Sequence, residues 1–193
     1  MFDTLPGPDE IALATVEAYG KQGKTLLAAL DKLPAPIYVT DAEGFITYFN
    51  PACVGFTGRT PKVGKDRWCV TWKLYNETGE FMPQDQCPMA DAIRQKRTIR
   101  GAVAVAERPD GTRVTFTPYP TPLFADDDSL LGAVNILIDV TEERQIQDLR
   151  SQVVRARKMA MEISNPRARE TLSRMADEYQ EKAHVLETMH KGG

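Results

Sequence analysis

The chain is poor in histidine: His184 and His190 are the only two, and both lie near the C-terminus. A histidine-ligated haem, or a Ser/His or Cys/His catalytic pair, therefore has no histidine to draw on in the first 183 residues. Cysteine is almost as scarce. Cys53, Cys69 and Cys87 form an odd set with no CxxC spacing, which reads as reduced thiols in a cytoplasmic protein. No apolar run approaches the length of a membrane span, and the start Met1-Phe2-Asp3-Thr4 has no basic-then-apolar leader, so neither membrane insertion nor secretion is expected. The net charge of −3 is too small and of the wrong sign to suggest nucleic acid or an anionic membrane. Gly23-Lys24-Thr25 has the tail of a phosphate-binding loop, but position 18, where its first glycine is required, is alanine. The carboxylates Asp41, Glu43, Asp110 and Asp126 to Asp128 fall at turns and do not converge, so no enzyme is expected.

What is present is an ordinary globular composition: 193 residues, 42% hydrophobic, enough for one domain with extensions. Residues 1–34 carry an apolar stripe at helical spacing (Ile11, Ala14, Ala18, then Leu26, Leu27, Leu30 and Leu33), interrupted by Gly20 and Gly23 and stopped by Pro34. They predict two short helices, or one broken helix, packing in cis or across a dimer. From 35 to 140 the pattern is two strands (37–40 and 45–49), short helices, then three strands (98–107, 113–118 and 131–139). Asp41-Ala42-Glu43-Gly44 and Pro109-Asp110-Gly111 mark the turns. Asn50 is expected to cap one short helix, with Pro51 at its first position; Asp85 is expected to cap another from about Gln86 to Gln95. The order implies an α+β fold: a five-stranded antiparallel sheet with helices on one face.

Residues 141–193 hold ten Lys and Arg against nine Asp and Glu, the mixture of a solvated helical surface. Ile146, Leu149, Val153, Ala156, Ala160 and Ile163 alternate spacings of three and four, a heptad seam that suits a dimer. Ser164-Asn165-Pro166 breaks the helix, and Leu172, Met175, Tyr179, Ala183 and Leu186 continue a second stripe. The two helices can close as an antiparallel hairpin or pair with another chain.

Gly132 to Arg144, GAVNILIDVTEER, joins the two regions. An apolar strand ends at Asp139-Val140-Thr141 and becomes a charged helix, with Thr141 as its cap and Glu142 and Glu143 at the positive end of its dipole. This exit, together with PIYVTDAEGFITYFNPA over 36–52, resembles the two ends of a PAS domain in the expected order and separation. The resemblance implies a curved sheet whose helices close a pocket, and a sensory or adaptor module with flanking signalling helices and Asp139 and Thr141 as the signal joint. It makes Val39, Phe56, Trp68, Trp72, Met89, Ile93, Val103, Phe116 and Val134 the candidates to line that pocket, or else to fill the core. Asn135 interrupts the apolar strand, and either contacts a ligand or points outward. A flavin photosensor of this family needs a cysteine in Gly-x-Asn-Cys-Arg-Phe-Leu-Gln; with Gly64 on the first glycine, Arg67 occupies that place and Cys69 lies two positions late. Cys87-Pro88 resembles the thiolate ligand of some haem sensors, which makes a haem-binding gas or redox sensor one alternative. A ligand-free protein–protein scaffold is another. The leading expectation is a dimeric signalling protein without a cofactor, working through an unidentified protein partner and open to control by a small ligand.

Overall fold

The computed structural model describes residues 24–190 and divides into two compact units between Asp139 and Val140. The expected helix at 11–18 lies outside the described residues.

In the first unit the strands are β1 (Ile37–Asp41), β2 (Ile46–Phe49), β3 (Lys73–Tyr75), β4 (Phe81–Met82), β5 (Ala104–Glu107), β6 (Arg113–Pro118), β7 (Thr121–Phe124) and β8 (Leu130–Asp139). They form one open antiparallel sheet in the order β2-β1-β8-β6-β5-β3-β4, with β7 also on β8. The α+β class is as expected, and the five expected strands are β1, β2, β5, β6 and β8. Of the three others, β7 continues β6. Partners on β8 step one for one from Phe116↔Asp139 to Pro118↔Leu137, and on to Thr121↔Val134 and Leu123↔Gly132. Pro118 and Pro120 have no N–H to give the ladder, so the strand is interrupted there; between them Tyr119 N–H still reaches Ile136 O at 2.9 Å. The hairpin β3–β4 extends the far edge around Asn76–Gly79, whose Asn76 Oδ1 accepts from the N–H of Thr78 and of Glu80. The expected strand over 98–107 keeps only its second half.

Both faces of the central strand are buried, which layers the unit. The inner face carries Tyr38, Ile46, Leu74, Ala104, Ala106, Val114, Phe116, Ala133 and Leu137. Over it lie α2 (Pro51–Thr57) and α3 (Pro88–Gln95), which contribute Cys53, Phe56, Met89, Ala90 and Ile93. On the outer face Ile37, Val39, Leu123, Val134 and Ile136 pack beneath Leu27, Leu30 and Leu33. Leu27 and Leu30 belong to α1 (Lys24–Leu30), so this part of the N-terminal stripe is covered in cis by the chain's own sheet.

Asn50 departs from its expected role. It stands at the N-cap of α2 and Pro51 opens the helix, yet its side chain makes no cap bond. Its Oδ1 accepts Ile37 N–H at 2.9 Å, and its Nδ2 donates to Leu30 O at 3.1 Å and Ala35 O at 2.9 Å. It thus ties the end of α1 to the start of β1. Asp85 also gives way: a 3₁₀ turn spans Gln84–Gln86, and α3 begins at Pro88 after Cys87.

The second unit is a helical hairpin of α4 (Thr141–Glu162) and α5 (Pro166–His190). Asn165 caps α5 as expected, its Oδ1 accepting from Arg167 N–H at 3.0 Å. Thr141 is the first helical residue and the cap position falls on Val140, whose side chain has no oxygen to offer. The helices run antiparallel, with Arg150 pairing to Glu187 at 2.6 Å and Arg157 facing Asp177 at 3.8 Å. From the expected dimer seam, Val153 and Ala156 pack against Ala176 and Tyr179 of the same chain. Ala160 is also buried, whereas Leu149 and Ile163 are half-buried. A second helix of the same chain fills the holes that the heptad pattern offered to a partner.

Candidate functional site on the inner face of the sheet

The inner face is apolar except along one line of polar groups. Tyr38 of β1 and Asn135 of β8 sit directly across the ladder from each other, and both are buried. Asn135 Nδ2 donates to Tyr38 Oη at 3.0 Å, and Asn135 Oδ1 accepts Tyr119 N–H at 2.9 Å, at the break between β6 and β7. Tyr38 O–H in turn donates to Trp68 O at 3.0 Å. Asn135 therefore points inward and is held from both sides.

Trp68 is the least relaxed residue in this group. Its φ of +68° puts a bulky side chain in the left-handed region, a conformation that surrounding contacts must impose. Those contacts are visible. Trp68 N–H donates to Gly44 O at 2.8 Å. The indole packs against Gly44, where any Cβ would collide with it. The Arg67 guanidinium lies 4.5 Å from the indole centroid and 5.1 Å from that of Phe45. The turn Asp41–Gly44, set by Phe45 N–H to Asp41 Oδ1 at 2.8 Å, is thereby locked to the segment that leads into the core.

Trp68 delivers Cys69 to that core, where it meets Cys87 from the start of α3. Both thiols are free and buried. Cys87 Sγ lies 3.9 Å from Trp68 O, the same carbonyl that Tyr38 binds. Thr71 Oγ1 donates to the Cys69 sulfur at 3.2 Å. The neighbouring Cys87, and then Thr71, hold the Cys69 thiol below its ordinary value. Cys69, and then burial, push Cys87 well above its own. Burial pushes the Tyr38 phenol up as well, reinforced by the two cysteines. Cys53 stands apart: its thiol donates to Ile37 O at 3.3 Å, and burial raises it to about 12. On β1, Thr40 is also buried, and its hydroxyl has no hydrogen-bond partner.

The expected pocket residues separate into groups. Phe56, Met89, Ile93 and Phe116 come together on the inner face, with Phe56 and Phe116 edge to face at 5.4 Å. Trp68 packs against them from the rim. Val39 and Val134 do not join them: they lie on the outer face with Leu30, because alternation along β1 and β8 assigns the inward positions to Tyr38 and Asn135. Trp72 is 52% exposed and lines no interior. Val103 precedes β5 and is half-buried. Sequence reasoning passed over Tyr38; the available signal was one polar residue in the middle of each of two facing apolar strands.

The Cys87 surroundings do not fit a haem-thiolate site. Cys87 is buried, and its neighbours Met89, Ala90 and Ile93 belong to the packed core, which leaves no space for a macrocycle beside it. Arg67, in the photosensor cysteine's place, is committed to Phe45, Trp68 and the Glu43 carbonyl, which its Nε reaches at 2.6 Å. Among the described residues no group of three or more His, Cys, Asp or Glu is placed to hold a metal, and no helix is long and apolar enough to cross a membrane.

Comparison with known proteins gives a family model described as PAS fold, matching residues 30–145. No curated protein matches. Among solved structures, a LOV protein of Rhodobacter sphaeroides is similar at 15% identity over 90% of this chain and 99% of its own, with a TM-score of 0.49. The PAS domain of a Colwellia psychrerythraea protein is 18% identical over 62% of this chain and 97% of its own, TM-score 0.42. The LOV domain of the blue-light activated histidine kinase EL346 from Erythrobacter litoralis is 22% identical over 57% and 99%, TM-score 0.45.

Proposed function

Because the chain belongs to the PAS fold family across residues 30–145, we propose that it is a cytoplasmic sensory and regulatory module with no catalytic activity of its own. Its input is the polar line on the inner face, and its output is the helical hairpin. The observation that carries this reading is Asn135. It closes the Tyr38–Trp68 network, and it sits on the strand that ends at Asp139, with only Val140 between it and the start of α4 at Thr141. A change in what Tyr38 and Asn135 bind acts on the strand that leads into the helix, and biases the surface the hairpin presents.

A small ligand held by Thr40, Tyr38 or Asn135 is one way to make that change. The unpaired Thr40 hydroxyl supports it, since an orphaned buried hydroxyl is a standing cost that a ligand relieves.

The output is association, and its first partner is a second copy of the hairpin. Alanines fill the contact between the helices at 156, 160, 176 and 183, so a lone pair of helices buries little apolar surface. Val154 and Met161, one heptad apart on α4, are left 67% and 83% exposed. The near-neutral balance of charge on 141–193 does not repel a copy of itself. Sedimentation tests this: wild type should be a dimer, and Val154→Glu with Met161→Glu should shift it to monomer. A wild type that stays monomeric at every accessible concentration contradicts the association.

A further inference from the structure

We infer that the second copy lies on the hairpin with its loop pointing the opposite way, so that the loop end of each chain covers the open end of its partner. This rests on the self-association of the hairpin, and charge sets the direction. At the loop end, residues 155–174, Arg155, Arg157, Lys158, Arg167, Arg169 and Arg174 stand against Glu162 and Glu170. At the open end, residues 141–154 and 175–190, seven Asp and Glu stand against Arg144, Arg150 and Lys182. With histidine neutral, the hairpin is formally +4 at one end and −4 at the other. Pairing within the chain leaves this polarity in place. Arg150–Glu187 cancels inside the open end, and Arg157–Asp177 spans the two ends at 3.8 Å.

The face that carries Val154 and Met161 has the same polarity. Two grooves lie along it. One, of about 510 Å³ toward the open end, is lined by Val153, Val154 and Ala183, with Glu181 and Glu187 set against Arg150. The other, of about 400 Å³ toward the loop, is lined by Ala160, Met161 and Ser173 with Arg157 and Arg169, and has no carboxylate. Each groove thus has an apolar wall, and the charges around the two are opposite in sign.

Two two-fold arrangements bury this face. With the loops at the same end, guanidinium groups face guanidinium groups and carboxylates face carboxylates. With the loops at opposite ends, unlike charges meet, twice over by symmetry. Helix α5 is built for the second. Arg169 and Glu187 lie equally far on either side of its midpoint, Glu178, and are about five full turns apart, so both fall on one line along the helix. A two-fold axis at that midpoint sets Arg169 of each chain against Glu187 of its partner. Val154 and Met161 are covered in both arrangements, so the charges decide between them. The joints at Thr141 then stand at opposite ends of the bundle.

The test uses the full chain. Ser164, exposed in the loop, is changed to Cys and given a nitroxide label, the native cysteines being buried. Double electron–electron resonance on the dimer should give a loop-to-loop distance of about 30 Å or more, since the 22 residues of α4 span roughly 33 Å. Sedimentation of the unsubstituted chain gives a second reading. Raising sodium chloride from about 0.05 to about 0.5 M should raise the dissociation constant by about tenfold, because salt screens the attraction between unlike ends. A dimer whose loops lie within about 20 Å of each other, or one that salt leaves unchanged or tightens, overturns the orientation and leaves the association standing. A chain that is monomeric at every concentration overturns the association itself, and the orientation with it.

Discussion

Removing one oxygen from Tyr38 should cost more than its size suggests. The residue is fully buried, and its hydroxyl accepts from Asn135 Nδ2 and donates to Trp68 O, each at 3.0 Å. Tyr38→Phe keeps the ring, strands one N–H of the buried Asn135 and leaves the half-buried Trp68 carbonyl with only the long contact to Cys87 Sγ. At about 1 kcal/mol per lost bond, with an added penalty for each stranded group, the loss is about 2–3 kcal/mol. For a unit of this size that lowers the melting temperature by about 4–12 °C. Asn135→Leu should cost less than the same bookkeeping implies, because Tyr119 N–H keeps its bond to Ile136 O and Tyr38 keeps Trp68. The double variant strands fewer groups than the two singles together. Urea denaturation should therefore give a cycle in which it is about 1–2 kcal/mol less destabilised than their sum. The phenol adds an alkaline signature. Burial raises it well above 10.0, so the folded state keeps a proton that the unfolded chain releases near that pH. This contribution is complete below pH 10 and is lost as pH rises beyond it, and Tyr38→Phe should flatten that limb. Additive energies within about 0.3 kcal/mol would refute the network as a unit.

Gly44→Ala should destabilise by more than about 2 kcal/mol, since it places a Cβ at φ +87° and against the Trp68 indole; an unchanged urea midpoint would mean that the indole does not sit there. Ile136→Asp puts a charge beneath α1 among Ile37, Val39 and Val134, and should abolish the cooperative melt followed by circular dichroism. Glu107 accepts from Lys73 Nζ at 2.9 Å and Arg113 Nη2 at 2.8 Å, which holds its carboxyl down at about 2. Its contribution is present above the ordinary 4.5 and lost as pH falls through about 2; Glu107→Gln should remove that acid-side dependence from denaturation curves.

The architecture was readable where local chemistry leaves one choice. Gly44, Gly58 and Gly111 end their elements with positive φ, and Pro51 and Asn165-Pro166 start helices as expected. What sequence could not assign was which neighbour an apolar face meets. Period two identified Val134 and Ile136 as sharing a face, but with α1 on one side and α2 and α3 on the other, both faces of β8 are buried and the alternation does not say which is inner. The heptad seam met the same limit, since a helix of the same chain satisfies Val153 and Ala156 as well as a partner does. Trp68 and Trp72 are four residues apart in an irregular segment, and only the left-handed turn at Trp68 decides which one packs inward. Asn50 was assigned from its position before Pro51, yet three tertiary bonds outweighed one local cap.

The central claim is that the Tyr38–Asn135 link biases the helix that follows β8. Amide hydrogen exchange read by mass spectrometry on wild type and Asn135→Leu tests it most directly. Altered protection across Thr141–Arg150, in a variant whose β1 and β5 amides remain protected, is the predicted result. Identical exchange throughout α4 in a folded Asn135→Leu would contradict it.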